Sequence, residues 1–311
     1  MIGHYVALIK RELWEHRSIF VTPIAIASVV MLGTLTALVF VGEFQDELYL
    51  AIFAAQNAAG ADIPRKAMLT GLFIGSSWLF LLSLGVLTVF YALDSLYAER
   101  KDKSILFWRS LPVTDAETVI SKLFTALFVI PAIAMIGIMA THLVNLVITS
   151  LWVSSKGGDA GMLIWGSVSL FDNWFAMIIV LFAIAIWMSP FIGWFLFVSA
   201  WTKRSPLLMA FLPLILIPMF EGIFLRSTHF MESVWGRSAQ IPIFTGIDMK
   251  LFFDEDNPMH SAANMPEEMV SLLTHLDVGK FVTSVDTWIG IVVCGLLTTA
   301  AIYVRRYRDE S

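Results

Sequence analysis

The chain has 311 residues, 58% of them hydrophobic and 14% charged, with a mean hydropathy of +0.79 and a formal net charge of -5. Soluble domains carry roughly 25% charged residues, and a chain this apolar cannot cover a water-facing surface with polar groups. Its one cysteine, Cys294, excludes an internal disulfide and a cysteine zinc site.

The first helix is expected at the N-terminus. Ile2, Val6, Ile9 and Leu13 recur on one helical face, with His4, Lys10, Arg11, Glu12 and Glu15 supplying polarity elsewhere. Such a helix lies flat in the headgroup region as an interfacial element. Six apolar stretches follow, each long enough for a membrane span, which needs about 20 residues. They cover residues 19–41, 68–93, 123–152, 174–201, 206–225 and 285–304. The first is too long for a signal-peptide core and lacks a small-x-small cleavage site, so it reads as a retained helix.

Lysine and arginine fix the expected orientation, because they concentrate on the cytoplasmic side. With both termini inside, 13 of the 20 basic residues fall in the inner segments. The expected fold is therefore all-α and integral to the membrane. It is a single transmembrane domain, residues 1–311, with six transmembrane helices and cytoplasmic termini. The largest outer segment, residues 226–284, holds the acidic run Asp254-Glu255-Asp256 and a helix-like start at Pro266.

Between spans two and three the sequence reads Glu99-Arg-Lys-Asp-Lys-Ser-Ile-Leu-Phe-Trp-Arg-Ser-Leu-Pro-Val-Thr-Asp. At 100° per residue, Ile105, Phe107, Trp108 and Leu111 share one face, while Asp102, Lys103, Arg109 and Ser110 lie towards the other. Pro112 ends this helix. Thr114 with Glu117 three residues on predicts a capping box that starts a new helix running into span three. An amphipathic helix that shows Phe107 and Trp108 to the cytoplasm needs lipid headgroups or a groove in a partner protein.

This segment, with Ser121-Lys122 after it, resembles the signature of the ABC-2 type permease family. The family places a charged "ER" element after span two, then a short helix, an "L-P-V-S/T-x" turn and a lysine at the start of span three. Many members carry Gly-Thr where this chain has Lys103-Ser104. The resemblance implies that the helix is a cytoplasmic coupling helix seated in a cleft of an ATPase. Ile105, Phe107, Trp108 and Leu111 would be its apolar side and Pro112 its end. Glu99, Arg100, Asp102, Lys103 and Arg109 would orient it. It also implies two ATPase subunits and a second permease copy or related chain as partners. The setting would be the inner membrane of a bacterium, and the usual task the export of an amphipathic lipid, peptide, drug or polysaccharide. ATP and Mg would be bound by the partner ATPase alone. The chain lacks the G-x-x-x-x-G-K-[ST] phosphate loop, since Thr274 and Phe281 flank Gly279-Lys280 at the decisive positions.

Polar groups at membrane depth mark functional candidates. Thr141, His142 and Asn145 in span three and Glu221 in span five are candidates for a translocation path, although helix–helix hydrogen bonding is the simpler role for the first three. No catalytic residue, resident cofactor, metal site or nucleic-acid partner is expected. The histidines and methionines of the outer segment lack the close spacing of a copper site. An intramembrane enzyme built on His142, Glu221 and Asp286 is disfavoured, because these groups sit at different depths. An ion-coupled carrier would show broken helices in corresponding halves. A membrane sensor or assembly factor working with a partner ATPase is the alternative to transport.

Overall fold

In hydrocarbon every backbone N–H and C=O must be bonded within the protein, and a continuous helix achieves this segment by segment. The computed structural model describes residues 2–53, 62–105, 112–244 and 271–307. Among these residues there is no strand, only an isolated antiparallel bridge between Phe244 and Leu276. Among the described residues six helices are long and apolar enough to cross a membrane, so the architecture is that of a multi-pass helical membrane protein.

Helix α1 (Ile2–Glu15) leads into α2 (Ser18–Phe40), which is span one; α3 (Gly42–Phe53) follows at its far end. Span two is α4 (Asp62–Asp94), succeeded by the short α5 (Tyr97–Lys101). Span three is α6 (Asp115–Phe124), a π turn (Thr125–Val129) and α7 (Ile130–Ser155). A π turn at Gly161–Trp165 precedes α8 (Leu170–Trp187), and α9 (Ser189–Trp201) continues from it. Span five is α10 (Pro206–Phe220) with a terminal π turn (Glu221–Leu225). Helix α11 (His229–Ala239), a 3-10 turn (Leu272–His275) and α12 (Val278–Thr283) lead to span six, α13 (Val285–Tyr307).

One helix start follows the sequence expectation and one boundary departs from it. The helix of span three begins at Asp115, as the capping box predicts, ahead of the apolar stretch from residue 123. Thr114 accepts a bond from the Glu117 N–H at 3.2 Å, and the Glu117 carboxylate accepts from the Thr114 N–H at 2.8 Å. This closed capping box satisfies two otherwise unpaired donors and fixes the helix start. The stretch 174–201 is not one straight helix. It breaks at Met188 (φ -82°, ψ 0°), two residues before Pro190, whose ring has no N–H to offer the preceding turn. The acidic run at 254–256 and the start at Pro266 lie outside the described residues.

Helices in lipid gain no hydrophobic advantage from meeting each other, so close packing at small residues carries the association. The most extensive contact is α9 along α13. There Gly193 sits so close to span six that a Cβ would lie 3.1 Å from the Cα and carbonyl oxygen of Cys294. At Gly137 a Cβ would meet Phe80 at 3.0 Å and Pro23 at 3.1 Å, which locks span three against spans one and two. The main core contains Phe80, Ile130, Ile138, Leu181, Phe195 and Leu196. A second cluster at the α3 end of the bundle contains Leu38, Leu48, Phe73, Leu146 and Leu163. Spans one and five stand at the periphery, with only 11% of their most apolar windows buried.

Helix α1 and the last turn of span six lie at the same end of the bundle, because Arg11 and Arg305 both pair with Glu99.

Candidate functional site

The motif between spans two and three begins with Glu99 and closes with Lys122, and these two residues meet. The Lys122 ammonium lies 3.1 Å from a Glu99 carboxylate oxygen. Lys122 also donates to both oxygens of Glu12, at 2.8 and 2.9 Å. The Tyr91 hydroxyl donates to Glu12 at 2.9 Å. From the C-terminal end, Arg305 donates to Glu99 at 2.6 Å and to Asp115 at 2.8 Å. From the N-terminal helix, Arg11 bonds Glu99 and reaches Glu15 at 2.9 Å. Glu12 and Lys122 are fully buried, and Glu99 and Arg305 nearly so.

Helical spacing explains how this cluster assembles. Asp115 and Lys122 are seven residues apart and share a face of α6. Leu8, Arg11, Glu12 and Glu15 fall on one face of α1 by the same rule, and α1 packs against α6. Leu8 and Glu12 on that face are buried and Arg11 is half-buried, while Glu15 at its end and Val6 are exposed. The apolar stripe read from the sequence is thus not the side of α1 that meets the protein most deeply. Three cations (Arg11, Lys122, Arg305) answer four carboxylates (Glu12, Glu15, Glu99, Asp115). Paired and hydrogen-bonded, they are tolerated away from water; losing one member would leave an uncompensated charge.

The remainder of the loop is tied to α9. The Ser199 hydroxyl accepts from the N–H groups of Leu96 and Tyr97 at 3.1 and 3.0 Å. The Arg100 guanidinium donates to the carbonyls of Ser199 and Thr202 at 2.5 and 2.8 Å. Glu99 and Arg100 therefore turn inward, and Ile105 is buried as well. Asp102 and Lys103 are exposed. Lys103 adopts φ 55°, the left-handed state that glycine enters without steric cost. Pro112 is exposed, whereas Phe107, Trp108, Arg109 and Leu111 lie outside the described residues.

Next to the cluster, His16 packs edge-on against Tyr91 with ring centroids 4.9 Å apart. Burial, helped by the Lys122 ammonium, holds its imidazole below the usual range. Glu12, Glu15 and His16 present ligand atoms within 4.8 Å of one another. Both Glu12 oxygens are already engaged by Lys122, so the trio is an ion-paired group and does not fit a metal.

The four path candidates fall in two places. His142 is buried, with Nε2 lying 3.0 Å from the Ser77 hydroxyl and 3.2 Å from the Phe73 carbonyl. Its Nδ1 accepts from the Trp174 indole at 3.2 Å. His142 therefore ties spans two, three and four together. Thr141 bonds back to the Gly137 carbonyl at 2.8 Å. Asn145, one turn on, lines a cavity. Glu221 lies apart at the far end of span five, accepting from the Ser227 hydroxyl at 2.6 Å and the Phe230 N–H at 2.9 Å. It anchors the start of α11.

Sequence reasoning missed Glu12, Tyr91, Asp115 and Arg305 as members of one cluster. A faint signal existed: Glu12 and Arg11 fall on the same face as Leu8, and Arg305 follows an apolar span directly. The pairing itself depends on contacts 79 to 206 residues apart along the chain.

Comparison of the chain with protein-family models, with curated proteins and with solved structures returned no match.

Proposed function

We propose that the chain is the membrane-spanning permease subunit of an ATP-driven transporter of the ABC-2 type. The observation that carries this reading is the mounting of the segment between spans two and three. Its flanks, Glu99 and Lys122, are joined to each other and to α1 and span six through buried ion pairs. Arg100 adds the end of α9. A force on the intervening residues is thus delivered to several spans at once, as a coupling element requires. The resemblance of residues 99–122 to the family motif supplies the partner: a separate ATPase whose cleft receives Phe107, Trp108 and Leu111. Aromatic anchors in pockets dominate such interfaces.

In this reading Glu99 and Arg100 hold the loop to the bundle, and Asp102, Lys103 and Arg109 face the ATPase. Closure of the ATPase dimer on ATP and Mg pulls the segment, and the ion cluster moves α1 with spans two, three and six. The cluster's end of the bundle is cytoplasmic, in the inner membrane of a bacterium, and a second permease chain pairs with this one. The substrate is an amphipathic molecule moved outward.

The test is co-purification of the tagged chain with the ATPase encoded in a neighbouring reading frame. Wild type is compared with the double variant Phe107→Ala and Trp108→Ala. Recovery of the ATPase with wild type, and its loss with a variant that remains monodisperse, is expected. Equal recovery from both, or no ATPase with either, would refute the coupling role. If the ATPase binds but vesicles move no substrate, the sensor or assembly-factor reading takes over.

A further inference from the structure

At the end of the bundle away from the ion cluster, a cavity of about 290 Å³ opens between α3 and the adjoining halves of spans one, two and three. Ligand pockets begin at about 300 Å³, and an engineered apolar void of about 150 Å³ already takes up benzene. The space is therefore large enough for one slender molecule. Its walls are mainly apolar, with Leu38, Leu48, Leu69, Phe73 and Leu146 prominent. Part of the room exists because Gly71 and Gly75, one turn apart on span two, have no side chain. A Cβ built on either meets nothing within 4 Å.

The polar groups on the wall are few: the hydroxyls of Thr34, Ser76 and Thr149 and the Asn145 amide. The Asn145 Oδ1 is buried and has no hydrogen-bond partner. Ser76 and Thr34 direct their hydroxyl hydrogens to the backbone carbonyls of Phe73 and Val30, at 2.9 and 3.0 Å. Their oxygens keep only lone pairs to offer. No charged side chain lines the cavity. A buried acceptor without a donor carries a desolvation cost that a ligand donor would relieve. An ionised ligand would find no counter-charge here.

We infer that this cavity is a binding site for an uncharged amphiphile, an alkyl chain bearing one hydroxyl or amide N–H that donates to Asn145. The site belongs to this chain alone and does not rest on the permease reading, so its test needs no ATPase.

The full-length chain is placed in nanodiscs and exposed to three photoreactive ten-carbon probes carrying a diazirine: an alcohol, its methyl ether and the carboxylic acid. Labelled residues are mapped by mass spectrometry. The alcohol is expected to label the cavity walls on α3 and spans two and three, roughly fivefold more than the ether, the size of one net hydrogen bond to a buried acceptor. The acid should label these walls least. Asn145→Leu, of similar volume, should bring the alcohol down to the ether's level. Gly75→Leu should fill the space and remove labelling by all three. Should Asn145→Leu fail to fold, Gly75→Leu and the alcohol-to-ether ratio in wild type still decide. Equal labelling by the three probes would mean that lipid chains enter without recognition, and the inference would fall. So would labelling confined to the outward faces of spans one and five.

Discussion

Lys122→Met is the sharpest perturbation of the ion cluster. The substitution keeps the length and apolar stem of the side chain and removes only the charge. Lys122 makes two contacts to Glu12 and one to Glu99, all within 3.1 Å. A unit pair near 4 Å is worth about 4 kcal/mol gross at an effective dielectric near 20, before the cost of desolvation is subtracted. Glu99 retains Arg11 and Arg305, but Glu12 keeps only the Tyr91 hydroxyl. The balance of three cations against four carboxylates becomes two against four. Truncating one side of a buried pair costs about 3–5 kcal/mol, which in a chain of this size lowers the melting temperature by roughly 10 °C. The assay is thermal unfolding in nanodiscs, followed by the fluorescence of the 11 tryptophans. The double variant Lys122→Met with Glu12→Leu removes both charges and should recover most of the loss, because the pair is coupled. A single variant within about 1 °C of wild type, or a double variant worse than the single, would refute the idea that Lys122 and Glu12 satisfy one another.

His142→Leu should destabilise the bundle by about 2 kcal/mol, since it strands the Trp174 N–H; adding Trp174→Phe should cost little more, and an additive double variant would argue against the bond. Gly290→Ala places a Cβ 2.1 Å from the Arg237 guanidinium, which stacks 3.9 Å from the Trp187 ring and donates to the Trp187 and Asp286 carbonyls. The overpacking should cost about 1–3 kcal/mol and raise hydrogen exchange in α11; unchanged exchange there would show that Arg237 does not hold that helix. His16 resists protonation in the folded chain, so an unfolded imidazole binds protons more readily as pH falls below about 6.5. Stability is therefore present above that range and declines from pH 7 towards pH 5. His16→Phe should flatten this part of the profile, and an identical slope in the variant would assign the loss to other groups.

The spans were legible because hydrocarbon imposes one requirement on length and polarity, and it shows in any window of 20 residues. The capping box at Thr114 was legible too, because all its groups lie within four positions. What is local and chemically specific can be read along the chain. The break at Met188 was missed although Pro190 marks it, because the run on both sides is uniformly apolar and hydropathy does not register a missing N–H. The burial of Glu12 was less accessible still. A glutamate in an amphipathic N-terminal helix ordinarily faces water, and only Tyr91 and Lys122, brought in by other spans, make its inward position tolerable. For Asn145 the sequence gives a polar residue on an apolar helix; the glycine-lined space in front of it depends on how spans two and three pack.

The ion cluster also bears on the order in which the chain can mature. Arg11 and Glu12 emerge first, Glu99 and Lys122 follow within the first half, and Arg305 arrives 206 residues after Glu99. At synthesis rates of about 5–20 residues per second, Glu99 waits on the order of 10–40 seconds for that partner. Until span six is threaded, the cluster holds two cations, Arg11 and Lys122, against four carboxylates. The finished set of ion pairs is thus a property of the complete six-span bundle, and a chain stalled before its last helix leaves Glu99 and Asp115 without their Arg305 partner.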